Sequence, residues 1–231
     1  MAQSEKLTLK TLREQVYDYL RESLNRGDLV PGATVDLAKL SGKLGVSKTP
    51  LRFALFQLEN EGFVTILPRR GCVVNVLTLE EIRGIYQIIG SLESSVVRKK
   101  FQKITPAVID RLRHFNRLAR TAIVEDDFDR YYAFNLDFHE QYLELSSNEK
   151  LKRMVSILKH RLYDFPRKDR FVKEWELRST DEHEEFVRLL EARKAKDAAD
   201  YIRDVHWDFD VQRPYVEQYY GAPVPETVVL G

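Results

Sequence analysis

Five histidines and one basic stretch hold most of the chemistry open to this chain of 231 residues. The histidines are His114, His139, His160, His183 and His206. His183 begins a helical run that reaches about Lys194. Ala195-Lys196-Asp197 then reads as a turn with Asp197 as N-cap, and His206 lies on the returning helix. At about 1.5 Å of rise per residue, His183 and His206 sit at similar heights on an antiparallel pair. His139 belongs to another helix, with Asn135 one turn before it on the same face. Three neutral imidazoles and one oxygen donor make a coordination set for a divalent transition metal. Any one of these histidines taken singly is more often a surface or satisfied core residue. His114 and His160, set among Arg and Lys, are left in that class.

The basic stretch lies nearer the N-terminus. Between Asp36 and Glu59 there is no acid, while Lys39, Lys43, Lys48 and Arg52 all fall there. Residues 1–77 carry 11 Lys and Arg against 8 Asp and Glu, and the remainder carries 26 against 28. A polyanion needs such a local basic face more than a high overall charge, which is +1. Charge alone would favour the plainer reading of a solvated helix face.

The elements around those cations decide between the two. Leu12, Val16, Leu20 and Leu24 recur at helical spacing, so residues 9–26 form an amphipathic helix that Gly27 and Pro31-Gly32 stop. Val35 to Leu44 is a second short helix. After the turn at Gly45-Val46, Ser47 is the N-cap of a third helix, with Pro50 in its first turn and Leu51, Leu55 and Leu58 inward. Ser47, Lys48, Thr49, Arg52, Phe53 and Phe56 are left outward. The period then changes to two in residues 63–67 and again in residues 72–76, joined by a turn at Pro68-Arg69-Arg70-Gly71. Helix, helix, turn, helix, hairpin is the order of a winged helix-turn-helix, whose third helix enters the major groove of duplex DNA. Lys48 and Arg52, four residues apart, project from one face and suit either guanine or phosphate. Arg69 and Arg70 sit at the hairpin tip, where a wing meets the backbone or minor groove.

From Thr78 onward the signals are helical. Thr78 caps a run to Lys100, and further amphipathic runs cover about 106–124, 126–146, 148–165, 170–194 and 197–220. The expected architecture is mainly α: residues 1–77 a winged helix-turn-helix, residues 78–231 an all-helical antiparallel bundle. Pro214 to Gly231 reads as an irregular extension.

Several segments resemble one family. Gly45-Val46-Ser47-Lys48-Thr49-Pro50-Leu51-Arg52, followed by Leu58-Glu59-Asn60-Glu61-Gly62, is similar to the reader head of GntR-family bacterial transcription regulators. Gly27-Asp28-Leu29-Val30-Pro31-Gly32 and Arg70-Gly71-Cys72 resemble its upstream segment and wing. Lys48 replaces the usual Arg, and a lysine lacks the planar two-pronged fork. Phe53 stands where the family usually has Glu, and could meet a thymine methyl or another protein surface. Asn135-Leu136-Asp137-Phe138-His139 and Glu182-His183-Glu184-Glu185-Phe186, with Asp197, Ala199 and His206, resemble the FCD effector module of the FadR-type branch. That likeness puts Asn135, His139, His183 and His206 at the family's metal-ligand positions, for an ion of the zinc, nickel or manganese class. The first of these is more often Asp, so a neutral carbonyl leaves the site more positive. Ile89 stands where many members have an Arg associated with the effector's carboxylate. The resemblance passes that role to the metal or to Arg161.

Three readings follow. The first is a ligand-responsive regulator, homodimeric on double-stranded operator DNA and switched by a small carboxylate effector. The second is a three-histidine metalloenzyme, for which the chain shows no paired acid and base, no activated nucleophile and no phosphate loop. The third is a DNA-binding protein whose helical half only dimerises. The first is preferred, with no enzymatic role. A single cysteine, Cys72, fits a reducing cytoplasm, and no apolar run of about 18 residues offers a membrane span. The first residues show no apolar stretch of a secretory signal.

Overall fold

The computed structural model describes residues 10–68, 70–163 and 171–220. These residues form two compact units. One gathers the chain up to Val76 and takes in Arg161; the other gathers Leu77–His160 and the residues from Phe171 onward.

The first unit runs α1 (Leu12–Asn25), β1 (Thr34–Val35), α2 (Leu37–Leu44), α3 (Lys48–Asn60), β2 (Val64–Leu67) and β3 (Gly71–Val74). Thr11 and Glu14 close a reciprocal capping box on α1. Val16, Leu20 and Leu24 of α1 are buried, as are Leu51, Leu55 and Leu58 of α3, and the two helices pack together. The strands are antiparallel in the order β1-β3-β2, with Val64 opposite Val74 and Leu67 opposite Gly71. The second helix does not start at Val35. Thr34 and Val35 instead pair with Val73 and Cys72, and Asp36 caps α2 by accepting from the Ala38 and Lys39 amides. A buried, β-branched Val35 gains more from that ladder than from a helical turn. Gly71 makes the ladder fit: its φ is +89°, and a Cβ there would lie 2.7 Å from the Val35 carbonyl oxygen.

The second unit is helical: α4 (Leu79–Lys100), α5 (Pro106–Val124), α6 (Phe128–Leu143), α7 (Glu149–Tyr163, whose residues from Arg161 group with the first unit), α8 (Lys173–Glu191), α9 (Ala195–Tyr201) and α10 (Phe209–Tyr220). Thr78 and Glu81 form the capping box expected of α4. α5 lies against α6 and α8, while α4 lies against α6, α9 and α10. No described helix is long and apolar enough to cross a membrane.

The expected run over 197–220 is not one helix. Lys194, not Asp197, holds the N-cap position of α9, and Asp197 sits in the first turn at the positive end of the helix. After Tyr201 the backbone widens to a π turn over Ile202–His206, and the Trp207 amide donates to the Ile202 carbonyl at 2.9 Å. Gly90 of α4 lets this turn come close, because a Cβ there would lie 2.9 Å from Trp207 Cβ. Residues 214–220, which the sequence assigns both to that run and to an irregular extension, are helical. Pro214 gives up one backbone bond, but Val216 and Tyr219 are buried and Trp175 stacks on Tyr215. The rest of that extension, from 221, lies outside the described residues.

Glu176 of α8 is a carboxyl with little water around it. It is 6% exposed, and its burial pushes the carboxyl up to about 7, against a hydrogen bond from Tyr131 that lowers it. The unfolded chain releases this proton near the ordinary value of 4.5, while the folded chain keeps it. The stability tied to it is therefore present at low pH and lost as the pH rises from about 4.5 to about 7, on the order of 3 kcal/mol in all. Glu176→Gln is expected to be more stable than wild type at about pH 8, with the gap closing near pH 5. Urea titrations of both chains read this, and parallel pH profiles would contradict it.

Candidate functional site

In the first unit, α3 presents its predicted residues to solvent. Ser47 takes the N-cap geometry, but its hydroxyl makes no cap bond. Ser47, Lys48, Thr49 and Arg52 are all exposed. Lys48 and Arg52 line a cleft of about 600 Å³ between α3 and the β2–β3 wing, joined there by Phe56, Arg70 and Gly71. Arg70 is exposed at the hairpin tip, while Arg69 lies outside the described residues. A face with Lys48, Arg52 and Arg70 around one cleft can seat a phosphate backbone and reach base edges.

In the second unit, α6, α8 and the π turn bring His139, His183 and His206 together. Their ring centroids are 5.1, 4.9 and 5.1 Å apart, and the candidate ligand nitrogens lie within 4.8 Å of one another. All three are buried. Asn135 is buried one turn before His139 on α6. His114 is exposed, and neither it nor His160 belongs to the cluster.

Each imidazole is held from behind through its Nδ1. His139 Nδ1 is 3.0 Å from Glu93 Oε2 and 2.7 Å from the Tyr142 hydroxyl. His183 Nδ1 is 3.1 Å from Asn116 Oδ1, and its ring stacks on Phe138 at 3.8 Å. His206 Nδ1 is 2.9 Å from Glu182 Oε2. Oxygen acceptors at Nδ1 fix the proton there and leave Nε2 as a lone-pair donor, the arrangement metal-binding histidines use. The opposite atoms agree with this. Asn135 Oδ1, His139 Nε2 and His183 Nε2 are buried and have no hydrogen-bond partner. Such atoms are costly unless something satisfies them, and a divalent cation held by the clustered imidazoles would satisfy the two nitrogens at once. The donor set of three nitrogens and a neutral carbonyl oxygen fits an ion of the zinc, nickel or manganese class.

The protonation states are also those a metal needs. Burial, with help from Lys159, pushes His139 down to about 3, against the pull of Glu93. Burial and the two neighbouring imidazoles hold His183 well below the usual range. Both rings are thus neutral donors near pH 7.

Glu93 and Lys159 are the residues that sequence reasoning missed. Both are almost fully buried, and they form an ion pair at 2.6 Å. Glu93 Oε2 also accepts from Tyr142 at 2.5 Å and Trp207 Nε1 at 2.8 Å. Burial pushes this carboxylate up, but Lys159 and His139 outweigh it and hold it far below the usual range. Burial lowers the Lys159 ammonium, against Glu93. Their signal is positional: a charged residue on an otherwise apolar stripe, Ile89-Glu93-Val97 in α4 and Val155-Lys159-Leu162 in α7. Arg161 groups with the first unit, its guanidinium beside Gly62.

Two family models match the chain. One, described as FCD domain, covers residues 84–206, and the other, described as bacterial regulatory proteins, gntR family, covers residues 12–74. The Nta operon transcriptional regulator of Aminobacter aminovorans is 31% identical over 176 residues, which is 74% of this chain and 80% of that protein. The HTH-type transcriptional repressor RspR of Escherichia coli (strain K12) is 24% identical over 160 residues, 66% of this chain and 70% of the repressor. Among solved structures, E. coli McbR/YncC aligns with a TM-score of 0.69 at 21% identity. The alignment covers 91% of this chain and 100% of that one, and shows a shared fold.

Proposed function

The chain belongs to the GntR family of bacterial transcription regulators and carries an FCD domain, and from that premise we propose a division of labour between its two units. Regulation proceeds by DNA binding, and the relatives are named as regulators and repressors. In this reading α3 lies in the major groove of an operator half-site, with Ser47, Lys48, Thr49 and Arg52 toward the DNA and Arg70 and Gly71 on the wing. Two copies of the chain bind a pseudo-palindrome as a homodimer. The compartment is the cytoplasm, where such DNA is found.

The second unit is the sensor. Asn135 Oδ1 and the Nε2 atoms of His139, His183 and His206 would hold a divalent transition metal ion. Once bound, the ion supplies positive charge and open coordination positions for an anionic ligand. The effector is accordingly a small carboxylate. With no carboxylate among the four ligands, the site keeps the ion's full charge for that anion. Lys159 cannot fill the role expected of Arg161, because Glu93 already neutralises it. Effector binding favours one dimer geometry over another, and with it one spacing of the two α3 helices. The observation that carries this reading is the set of buried, unpartnered acceptors on Asn135, His139 and His183, each imidazole locked from behind.

Metal content tests it. Untagged chain purified without chelator is expected to carry about one divalent transition ion per protomer. Asn135→Asp, which adds a charged ligand, should hold that ion about tenfold more tightly in chelator competition. Metal-free wild type that takes up none of zinc, nickel or manganese would overturn the sensor reading.

A further inference from the structure

The DNA-facing helix carries two large apolar rings that charge does not account for. Phe53 and Phe56 are 47% and 51% exposed, on a face otherwise made of Lys48, Thr49, Arg52 and Gln57. The two rings are not equivalent. Arg13 of α1 lies over Phe53, its Cζ 3.9 Å from the ring centroid, so that ring is a platform for a guanidinium. No ring or cation stacks on Phe56 among the described residues. Phe56 instead lines the cleft between α3 and the wing, one turn beyond Arg52 and two beyond Lys48, with Arg70 opposite. Asp36, also on the cleft, is occupied in capping α2.

Three cations around this cleft select a polyanion. An apolar ring among them must meet an apolar feature of the same polyanion. Duplex DNA offers one in its major groove, the 5-methyl group of thymine. We propose that Phe56 is a specificity-determining residue that reads a thymine methyl in each operator half-site, beside the interactions of Lys48, Arg52 and Arg70. The proposal rests on the reading of α3 as the recognition helix. It supplies sequence discrimination that phosphate binding lacks and that Lys48, as a point charge, gives less sharply than an arginine fork.

The test uses the full chain and DNA of its own choosing. Duplexes are selected from a random-sequence pool, and each thymine of the winner is replaced singly by deoxyuridine, which removes only the methyl. Wild type is expected to bind about fourfold more weakly at one thymine per half-site, the scale of one methyl taken from water. Phe56→Ala should bind the thymine and uracil forms equally, and Phe56→Leu should keep part of the difference. Arg70→Ala should bind both forms more weakly and keep their ratio. If wild type is indifferent to every replacement, or Phe56→Ala keeps the ratio, the role of Phe56 is overturned while the regulator reading stands. If no duplex is selected, both are overturned.

Discussion

Glu93→Leu is expected to lower the stability of the second unit by about 3–5 kcal/mol. The side chain it removes is the shared acceptor for Lys159, Tyr142 and Trp207, and it lies against His139 Nδ1. Leucine fills similar space and accepts nothing. The Lys159 ammonium, 2% exposed, is left as an uncompensated buried charge. The cost is therefore mostly the stranded cation, and a second substitution separates the parts. Lys159→Met in the same chain removes that cation and should restore most of the lost stability, because replacing both members of a buried pair by apolar groups is close to neutral. Metal affinity should not return with it. Without Glu93, the proton position and orientation of His139 depend on Tyr142 alone, and removing a support of this kind costs about 10–100-fold in metal affinity. Chemical denaturation and chelator competition on the single and double variants check both halves. A double variant as unstable as Glu93→Leu, or one with full metal affinity, would refute the role given to Glu93.

The second large effect is on DNA. Arg52→Ala is expected to weaken binding to the selected duplex, by about 1–3 kcal/mol per half-site if it reads a base, and twice that for a dimer that places it in both. Arg52 is exposed on α3, so its removal leaves the buried stripe of that helix in place and the helical circular dichroism should not change. Salt dependence distinguishes its two roles. Removing a cation that pairs with a phosphate lowers the salt slope by about one for each phosphate released, whereas removing a group that reads a base leaves the slope and relaxes preference at one position. Lys48→Ala is expected to behave as the phosphate case, and the double variant should retain only non-specific affinity. Wild-type affinity in both single variants would remove α3 from the interface.

Much of this was legible in the sequence, for identifiable reasons. The reader head is local: Leu51, Leu55 and Leu58 set the buried stripe of α3, and that stripe leaves Lys48 and Arg52 outward. The meeting of His183 and His206 follows from counting rise on either side of one turn, which tolerates the shift of the cap from Asp197 to Lys194. The outer supports were not legible, because each pairs across a long separation: Glu93 with His139, Asn116 with His183. Periodicity reports that a position faces inward but not what it faces. Arg161 enters through the resemblance alone, and periodicity gives no reason to prefer it to Lys159. Two residues apart on α7, they point about 200° apart, and only Lys159 turns to Glu93. The π turn before Trp207, and the helix through Pro214 where the sequence offers both a helical run and an irregular extension, have another cause. Both are held by tertiary packing, on Gly90 and on Trp175, that overrides the local pattern.

Whether the buried imidazoles govern the grip on DNA is read by one titration. Full-length wild type and His183→Ala are stripped of metal and bound to the selected duplex. Zinc, nickel or manganese is then added with a mixture of small carboxylates. Wild-type affinity should move by about 5–150-fold when metal and carboxylate are both present, and that of His183→Ala should stay where it was. A wild type that ignores both additions, or an equal shift in His183→Ala, would contradict the link between the two units.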